Sequence, residues 1–183
     1  MSALNPTEKS PAVFFDRDGT LMAEVDYCSD PENVSVFPGV SEALARLKAA
    51  GFKNIIVTNQ SGIGRGFFSE QQYRAVEAEV LHQIGAHLID TTKHCPHASS
   101  ENCSCRKPLP RMVHESATEF DIDLARSFFI GDKSSDIECG RNAGTRTILV
   151  LTGYGAAQND ARPDFVAKDV VAAADIILKN ANA

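Results

Sequence analysis

Short apolar runs alternate with amphipathic stretches along the chain. Ala12-Val13-Phe14-Phe15 has the length of a buried strand, and Gly19 lets the chain turn away just beyond it. From Gly39 to Ala50, Val40, Ala43, Leu44 and Leu47 recur at helical spacing, with Pro38 before the start and Gly51 placed as a C-terminal cap. Lys53 to Thr58, a β-branched run, predicts a second strand. Ser69-x-x-Gln72 is a capping-box pattern opening a helix to about residue 84, with Tyr73, Val76, Val80, Leu81 and Ile84 as its apolar face. Leu88 and Ile89 predict another strand, Met112 to Phe120 a helix, and Ser127 to Ile130 a strand. Gly131 to Asp136 is a turn entering a helix that stops near Gly144. Thr145 to Leu151 and Asp164 to Val166 are the last predicted strands, separated by a loop over 153–163 and followed by a helix from Val170 to Leu178.

Strands alternating with helices predict an α/β fold, a doubly wound and mainly parallel sheet covered on both faces. Ligands of such sheets bind at the strands' C-terminal edge. Asp16, Thr58, Lys107 and Asp132 follow predicted strands or stand in a loop reaching that edge, so residues far apart in sequence converge on one crevice. Two segments are not built for a core. The polar, turn-rich stretch over 22–37 reads as a flap beside the first strand's end, and 94–107 is a loop dense in Cys, His, Pro and Ser. About forty residues part Asp18 from Thr58 and about fifty part Thr58 from Lys107, each span already holding a helix, which leaves no room for a full cap domain. The expectation is one domain over residues 1–183 with an open site walled by flap and loop.

Composition narrows the partners. A net charge of −6 argues against a nucleic-acid binder or an anionic-membrane binder, since phosphate affinity at large needs a basic face. The polar N-terminus, Met1 to Pro11, lacks a signal peptide's apolar core, and no apolar run reaches membrane-spanning length. The chain is therefore read as cytoplasmic; separately, a monomer is expected. Any anion must be gripped locally, and Arg65, Arg106 and Lys133 are the cations placed to do so.

Asp16 and Asp18 put two carboxylates at one strand end. Such a pair suits a hard, oxygen-seeking cation such as Mg²⁺, and an ionised Asp can attack phosphorus. Asp-x-Asp also begins calcium loops, but Gly19 stands too early for that spacing. The reading assigns Asp16 as nucleophile and Asp18 as acid and then base, with Mg²⁺ on Asp16 and Asp132 and only the backbone carbonyl of Asp18. Among five cysteines, Cys95, Cys103 and Cys105 crowd together with His97. Three thiolates and an imidazole can close a tetrahedral Zn²⁺ shell with no open place for water, so this is read as a structural zinc loop that holds Arg106 and Lys107 in place. Cys28 and Cys139 read as ordinary thiols and His94 as a spare donor beside the cluster.

Asp16-x-Asp18-Gly19-Thr20, then Thr58, Lys107 and Gly131-Asp132-x-x-x-Asp136, in that order, resemble the haloacid-dehalogenase (HAD) superfamily of phosphotransferases over nearly the whole chain. The resemblance implies a Rossmann-like core, a phosphate-binding hydroxyl at Thr58, a phosphate-binding lysine at Lys107, and Asp136 supporting the metal site at Asp132. A narrower set is similar to that superfamily's heptose-bisphosphate phosphatases: Asp16 to Thr20, Thr58 to Gly66, Cys95-Pro96-His97, Cys103-Ser104-Cys105-Arg106-Lys107-Pro108 and Gly131-Asp132-Lys133. It implies release of a sugar phosphate by way of an aspartyl-phosphate, a step toward lipopolysaccharide heptose. It adds Asn59, Gln60, Ser61 and the flap residues Glu24, Val25, Asp26 and Tyr27 as substrate contacts. The flap keeps Tyr27 but has Glu24 and Asp26 where that group often has Asp and Gly, Arg111 stands where it often has Gly, and both departures are expected to alter the mouth of the site. Histidinol-phosphate phosphatase, another small phosphomonoesterase, or a catalytically silent phospho-ligand binding module are the alternatives.

Overall fold

Among the described residues, six strands form one wholly parallel sheet in the order β3-β2-β1-β4-β5-β6. They are β1 (Ala12–Phe15), β2 (Lys53–Asn59), β3 (Thr91–Cys95), β4 (Phe128–Gly131), β5 (Arg146–Val150) and β6 (Phe165–Ala167). Six α-helices among the described residues accompany them: α1 (Val40–Ala49), α2 (Ser61–Gly64), α3 (Glu70–Ile84), α4 (Arg111–Glu119), α5 (Ser134–Ala143) and α6 (Val170–Ala181). This computed structural model describes residues 9–181. The leaderless reading of the N-terminus falls, through residue 8, outside the described residues.

Because successive strand residues point to opposite faces, the sheet feeds two cores. Val13 and Phe15 of β1, with Ile56, Phe128, Ile130, Ile148 and Val150, pack beneath α1, α3 and α6 through Leu44, Leu47, Val76, Val80, Ala174 and Ile177. Ala12 and Phe14, with Ile55, Val57 and Phe129, pack on the other face against Met112 and Val113 of α4 and Cys139 and Ala143 of α5. The chain winds outward in one direction from β1 to β3 and in the other from β4 to β6. The crevice of a doubly wound sheet opens where that order reverses, between the C-terminal ends of β1 and β4. Asp16 follows the first of these strands and Asp132 the second.

Among the described residues no connection carries a separate cap domain. The flap closes at its base through a bridge between Met22 and Val36, with Ala23 N–H donating to the Ser35 carbonyl at 2.9 Å. Gln83 of α3 fastens its far side, donating to the Val34 carbonyl and accepting from Val36 N–H. Ser69 and Gln72 form the capping box that their spacing predicts. No helix among the described residues is long and apolar enough to cross a membrane.

Two boundaries differ from the sequence reading. Leu88 belongs to a 3-10 turn over Ala86–Leu88, and the third strand is Thr91–Cys95. That strand lies at the sheet edge, where a half-buried Thr-Thr-Lys-His-Cys ladder pairs with Ile55 to Asn59, so it carries no apolar run to announce it. Ser61 to Gly64, inside the glycine-rich stretch after β2, forms the single-turn helix α2.

Asp90 secures the start of β2. Its carboxylate accepts from Lys48 Nζ (2.8 Å), Lys53 Nζ (3.3 Å) and Asn54 N–H (2.9 Å). Partial burial alone would raise its proton affinity, but the bonds from Lys48 and Asn54 outweigh burial and hold it below the usual carboxylate range. A depressed carboxyl stabilises the fold above its unfolded pKa, near 4, and loses that contribution as pH falls through the folded value. Asp90→Asn is therefore expected to lower stability by about 1 kcal/mol at neutral pH, with solvent screening the partly open pairs. In urea titrations the gap to the parent protein should close below about pH 4.

Candidate active site

A cavity of about 550 Å³ opens at the switch point. Its floor is Asp16, whose backbone N–H is fixed by the Ile130 carbonyl at 2.9 Å. Lys107 arrives from the cysteine loop, and all three of its ammonium protons have a partner. Its Nζ lies 2.6 Å from Asp16 Oδ1, 2.7 Å from Asp136 Oδ1 and 2.7 Å from the Val57 carbonyl. Burial alone would discharge the lysine, yet Asp136 and Asp16 more than reverse that and raise its pKa. Asn59 fixes the lysine's backbone, accepting from Lys107 N–H at 3.0 Å and donating to its carbonyl at 3.2 Å.

Asp16, Asp132 and Asp136 bring carboxylate oxygens within 4.8 Å of one another. Burial pushes the Asp16 carboxyl up to about 7, with Lys107 pulling the other way, and pushes Asp132 up to about 6. Three buried acids beside one lysine lack positive charge. Asp132 Oδ2 accepts from Tyr154 N–H at 2.8 Å, whereas its Oδ1 is buried with no hydrogen-bond partner. Both oxygens of Asp136 are engaged, by Lys107 and by Lys133 N–H. Glycine at positions 19 and 153 keeps the space around Asp132 Oδ2, since a Cβ at either would collide with it. An orphaned carboxylate oxygen in an under-compensated acidic cluster fits a hard divalent cation.

Asp18 is held apart from that cluster. Its Oδ1 accepts from Arg17 Nη2 (3.0 Å), and its Oδ2 accepts from Arg17 Nε (3.1 Å) and Gln60 Nε2 (2.9 Å). Gln60 Nε2 also donates to Thr58 Oγ1 at 2.9 Å, linking the expected phosphate-binding hydroxyl to the expected acid.

Glu24, Val25, Asp26, Tyr27, Asn59, Gln60, Ser61, Arg106 and Lys133 all line the cavity. Their partners differ from a uniform set of substrate contacts. Lys133 reaches across to Glu24 at 3.0 Å and lies over the Tyr154 ring, while Arg106 donates to the His97 carbonyl at 3.4 Å. Arg65 follows α2 as an exposed residue and is not among the cavity's lining, because the single helical turn carries it outward past Gly64. Arg111 is also remote from the mouth. It pairs with Glu115 one turn along α4 and with Ser104 Oγ.

Cys95, His97, Cys103 and Cys105 bring three sulfurs and an imidazole nitrogen within 4.8 Å of one another. Cys95 Sγ lies 3.5 Å from Cys103 Sγ, and His97 Nδ1 lies 3.2 Å from Cys105 Sγ. A tetrahedral shell with bonds of about 2.3 Å to sulfur needs separations of this order. His94 is no part of this cluster; it faces Glu70 at 3.2 Å and packs on Tyr73. Cys95 itself ends β3, so one ligand rides on the sheet.

The sequence reading assigned no role to Arg17, which is wholly buried and does not line the cavity, or to Tyr154 and Gln158, which do. Arg17 was passed over between two acids, although a permanent charge next to a buried strand end is a signal in itself. Tyr154 and Gln158 come from the loop after β5, where Thr152 Oγ1 ties the chain to the Gly19 carbonyl at 2.7 Å and Gln158 Oε1 accepts from Ser134 N–H and Oγ. The Thr152-Gly153-Tyr154-Gly155 turn at a strand's C-terminal end was the available cue.

A parallel sheet with an aspartate at its switch point, a buried lysine bound to that aspartate, and an acidic cation site defines a HAD-superfamily phosphomonoester hydrolase. The HAD-hydrolase-like family model matches residues 104–173. A D-glycero-beta-D-manno-heptose-1,7-bisphosphate 7-phosphatase of Helicobacter pylori (strain J99) is 41% identical over 145 residues, covering 77% of this chain and 83% of the relative. The protein of that name from Yersinia pestis is 39% identical, covering 87% and 91%. A crystal structure of D,D-heptose 1,7-bisphosphate phosphatase from B. bronchiseptica, complexed with magnesium and phosphate, superposes with a TM-score of 0.85 at 31% identity, covering 93% of this chain and 99% of that one. The chain belongs to the heptose-1,7-bisphosphate 7-phosphatase family.

Because the Asn59 amide bonds both the N–H and the carbonyl of Lys107, it positions the lysine. Asn59→Ala is expected to lower kcat by about 10²-fold through misplacement of the ammonium, with KM changed far less. Steady-state kinetics on a phosphomonoester, beside circular dichroism to verify folding, would check this split.

Proposed function

We propose that this chain removes the C7 phosphate of D-glycero-D-manno-heptose 1,7-bisphosphate, leaving heptose 1-phosphate, and acts as a cytoplasmic monomer. The observation that carries the reading is the Asp16 carboxylate, held by Lys107 at 2.6 Å on the cavity floor beside the orphaned Asp132 oxygen. The family's named substrate supplies the sugar.

Asp16 attacks the phosphorus, and the bond from phosphorus to the C7 oxygen breaks. The bonding pair leaves on that oxygen, which takes a proton from Asp18. In the second half, Asp18 withdraws a proton from water as the water oxygen attacks the aspartyl-phosphate. The Asp16–phosphorus bond then breaks, regenerating the carboxylate and releasing inorganic phosphate. Lys107 and the Thr58 hydroxyl offset charge on the transferring group, and Lys107 also keeps the Asp16 carboxylate oriented. Mg²⁺, held by Asp16, Asp132 and the backbone carbonyl of Asp18 with Asp136 in support, supplies electrostatic stabilisation of the phosphoryl oxygens. Arg106 and Lys133, which line the cavity, would hold the second phosphate, and the flap residues Glu24 to Tyr27 would contact the sugar. Cys95, His97, Cys103 and Cys105 would hold Zn²⁺, which would fix a loop too polar to fold by burial and so hold Lys107 in place. The intact nucleophile and lysine weigh against a silent binding module, because binding alone requires neither.

Phosphate release with Mg²⁺ from both anomers of the bisphosphate and from histidinol phosphate tests the reading, with Asp16→Asn as the blank. The expectation is a kcat/KM at least 100-fold higher on the bisphosphate, worth about 2.7 kcal/mol, with the β-anomer preferred after the relatives' names. Equal activity on all three would reject the heptose assignment. Zinc is tested apart: metal analysis should find one zinc per chain, and Cys103→Ser should lose it together with most of kcat.

A further inference from the structure

Arg17 stands between the two acids with a wholly buried side chain. A buried guanidinium costs several kcal/mol of lost hydration unless it is fully engaged, and an apolar residue would fill the same space without that cost. Its engagement is extensive. Nε and Nη2 grip both oxygens of Asp18, Nη1 reaches Glu77 Oε2 at 3.3 Å, and the guanidinium lies 5.5 Å from the centre of the Tyr73 ring. Glu77 is itself pinned, since its Oε1 accepts from Thr92 Oγ1 of β3 at 2.7 Å. The acid is thus referenced through Arg17 to α3 and to the edge strand.

The hydrogen bonds on Asp18 are unequal. Oδ2 accepts from both Arg17 Nε and Gln60 Nε2, which fills its two lone pairs. Oδ1 accepts only from Arg17 Nη2 among the described residues, which leaves one lone pair free to hold a proton. We infer that Arg17 is a positioning residue: its two-pronged grip fixes the Asp18 carboxylate so that the second bond on Oδ2, from Gln60, leaves Oδ1 as the oxygen that gives and takes the proton, and Glu77 keeps Arg17 in that orientation. The inference rests on the assignment of Asp18 as the acid and base.

A purely structural role for Arg17 would lower turnover of every phosphate ester alike. A role through Asp18 depends on the leaving group, because a sugar alkoxide must be protonated as it departs whereas 4-nitrophenolate need not be. The experiment compares heptose 1,7-bisphosphate with 4-nitrophenyl phosphate for Arg17→Lys, Glu77→Gln and Asp18→Asn in the full chain with Mg²⁺. Read as kcat/KM, which reports the step that expels the leaving group and not the shared hydrolysis of the aspartyl-phosphate, Asp18→Asn should lose about 10³-fold on the bisphosphate and less than about tenfold on the nitrophenyl ester. Arg17→Lys keeps the charge but cannot span both oxygens. It should show the same split, with losses of about 10²-fold and threefold and an unchanged KM for the bisphosphate.

Glu77→Gln keeps the shape of the contact and should split the two substrates in the same sense by about fivefold, so it decides the matter if Arg17→Lys does not fold. Equal losses on both substrates, or none, in the folded Arg17 and Glu77 variants while Asp18→Asn keeps its split would overturn the inference alone. Absence of the split in Asp18→Asn would instead remove the acid–base assignment, and the role of Arg17 with it.

Discussion

The Lys107 ammonium is the point on which the rest of the site depends. Out of water, each of its three protons needs an acceptor, and the acceptors come from three directions: Asp16 after β1, Val57 in β2 and Asp136 in α5. A single buried charge thereby references the nucleophile to the sheet and to the helix that follows the second acidic turn. The lysine can do this only if its own backbone is immobile. Lys107 sits at the end of a loop with little apolar surface, so immobility must come from elsewhere, and the Asn59 amide and the neighbouring cysteine–histidine cluster are the two devices present.

The same electrostatic logic governs the cavity. Burial, with neighbouring carboxylates adding to it, pushes Asp16 and Asp132 upward, and one Asp132 oxygen is without a donor. Such an arrangement is stable only as a place where charge arrives, as a cation and then as a phosphoryl group. The walls suit that traffic. Without a cap, the flap, the cysteine loop and the turn after β5 enclose the site. The edge-on contact of Tyr27 with Phe67 at 4.6 Å and the Glu24–Lys133 pair draw the flap toward the core.

Much of this was legible as residue types at telling positions. Asp16, Asp18, Thr58, Lys107, Asp132 and the four zinc-type ligands could be singled out because each stands beside a strand end or in a stretch whose composition rules out core packing. The parallel sheet was legible because β1, β2, β4 and β5 are buried on both faces and read as apolar runs. β3 was not, for it is a polar edge ladder held by its neighbour's hydrogen bonds, and Leu88-Ile89 imitated the missing run. Arg65 and Arg111 show the reverse error: a cation close in sequence to the site was taken for one close in space.

The chain's own pattern, then, determined the class of sheet, the edge at which chemistry occurs and the residue types available to it, since periodicity and turn chemistry are local properties. What each polar group does was decided by tertiary structure. Asn59 grips a backbone forty-eight positions away, Arg17 pairs with a glutamate sixty positions away, and Asp132 keeps one oxygen free because Tyr154 takes only the other. Those outcomes depend on which acceptor lies within about 3 Å once the sheet has closed, a distance that no local pattern encodes.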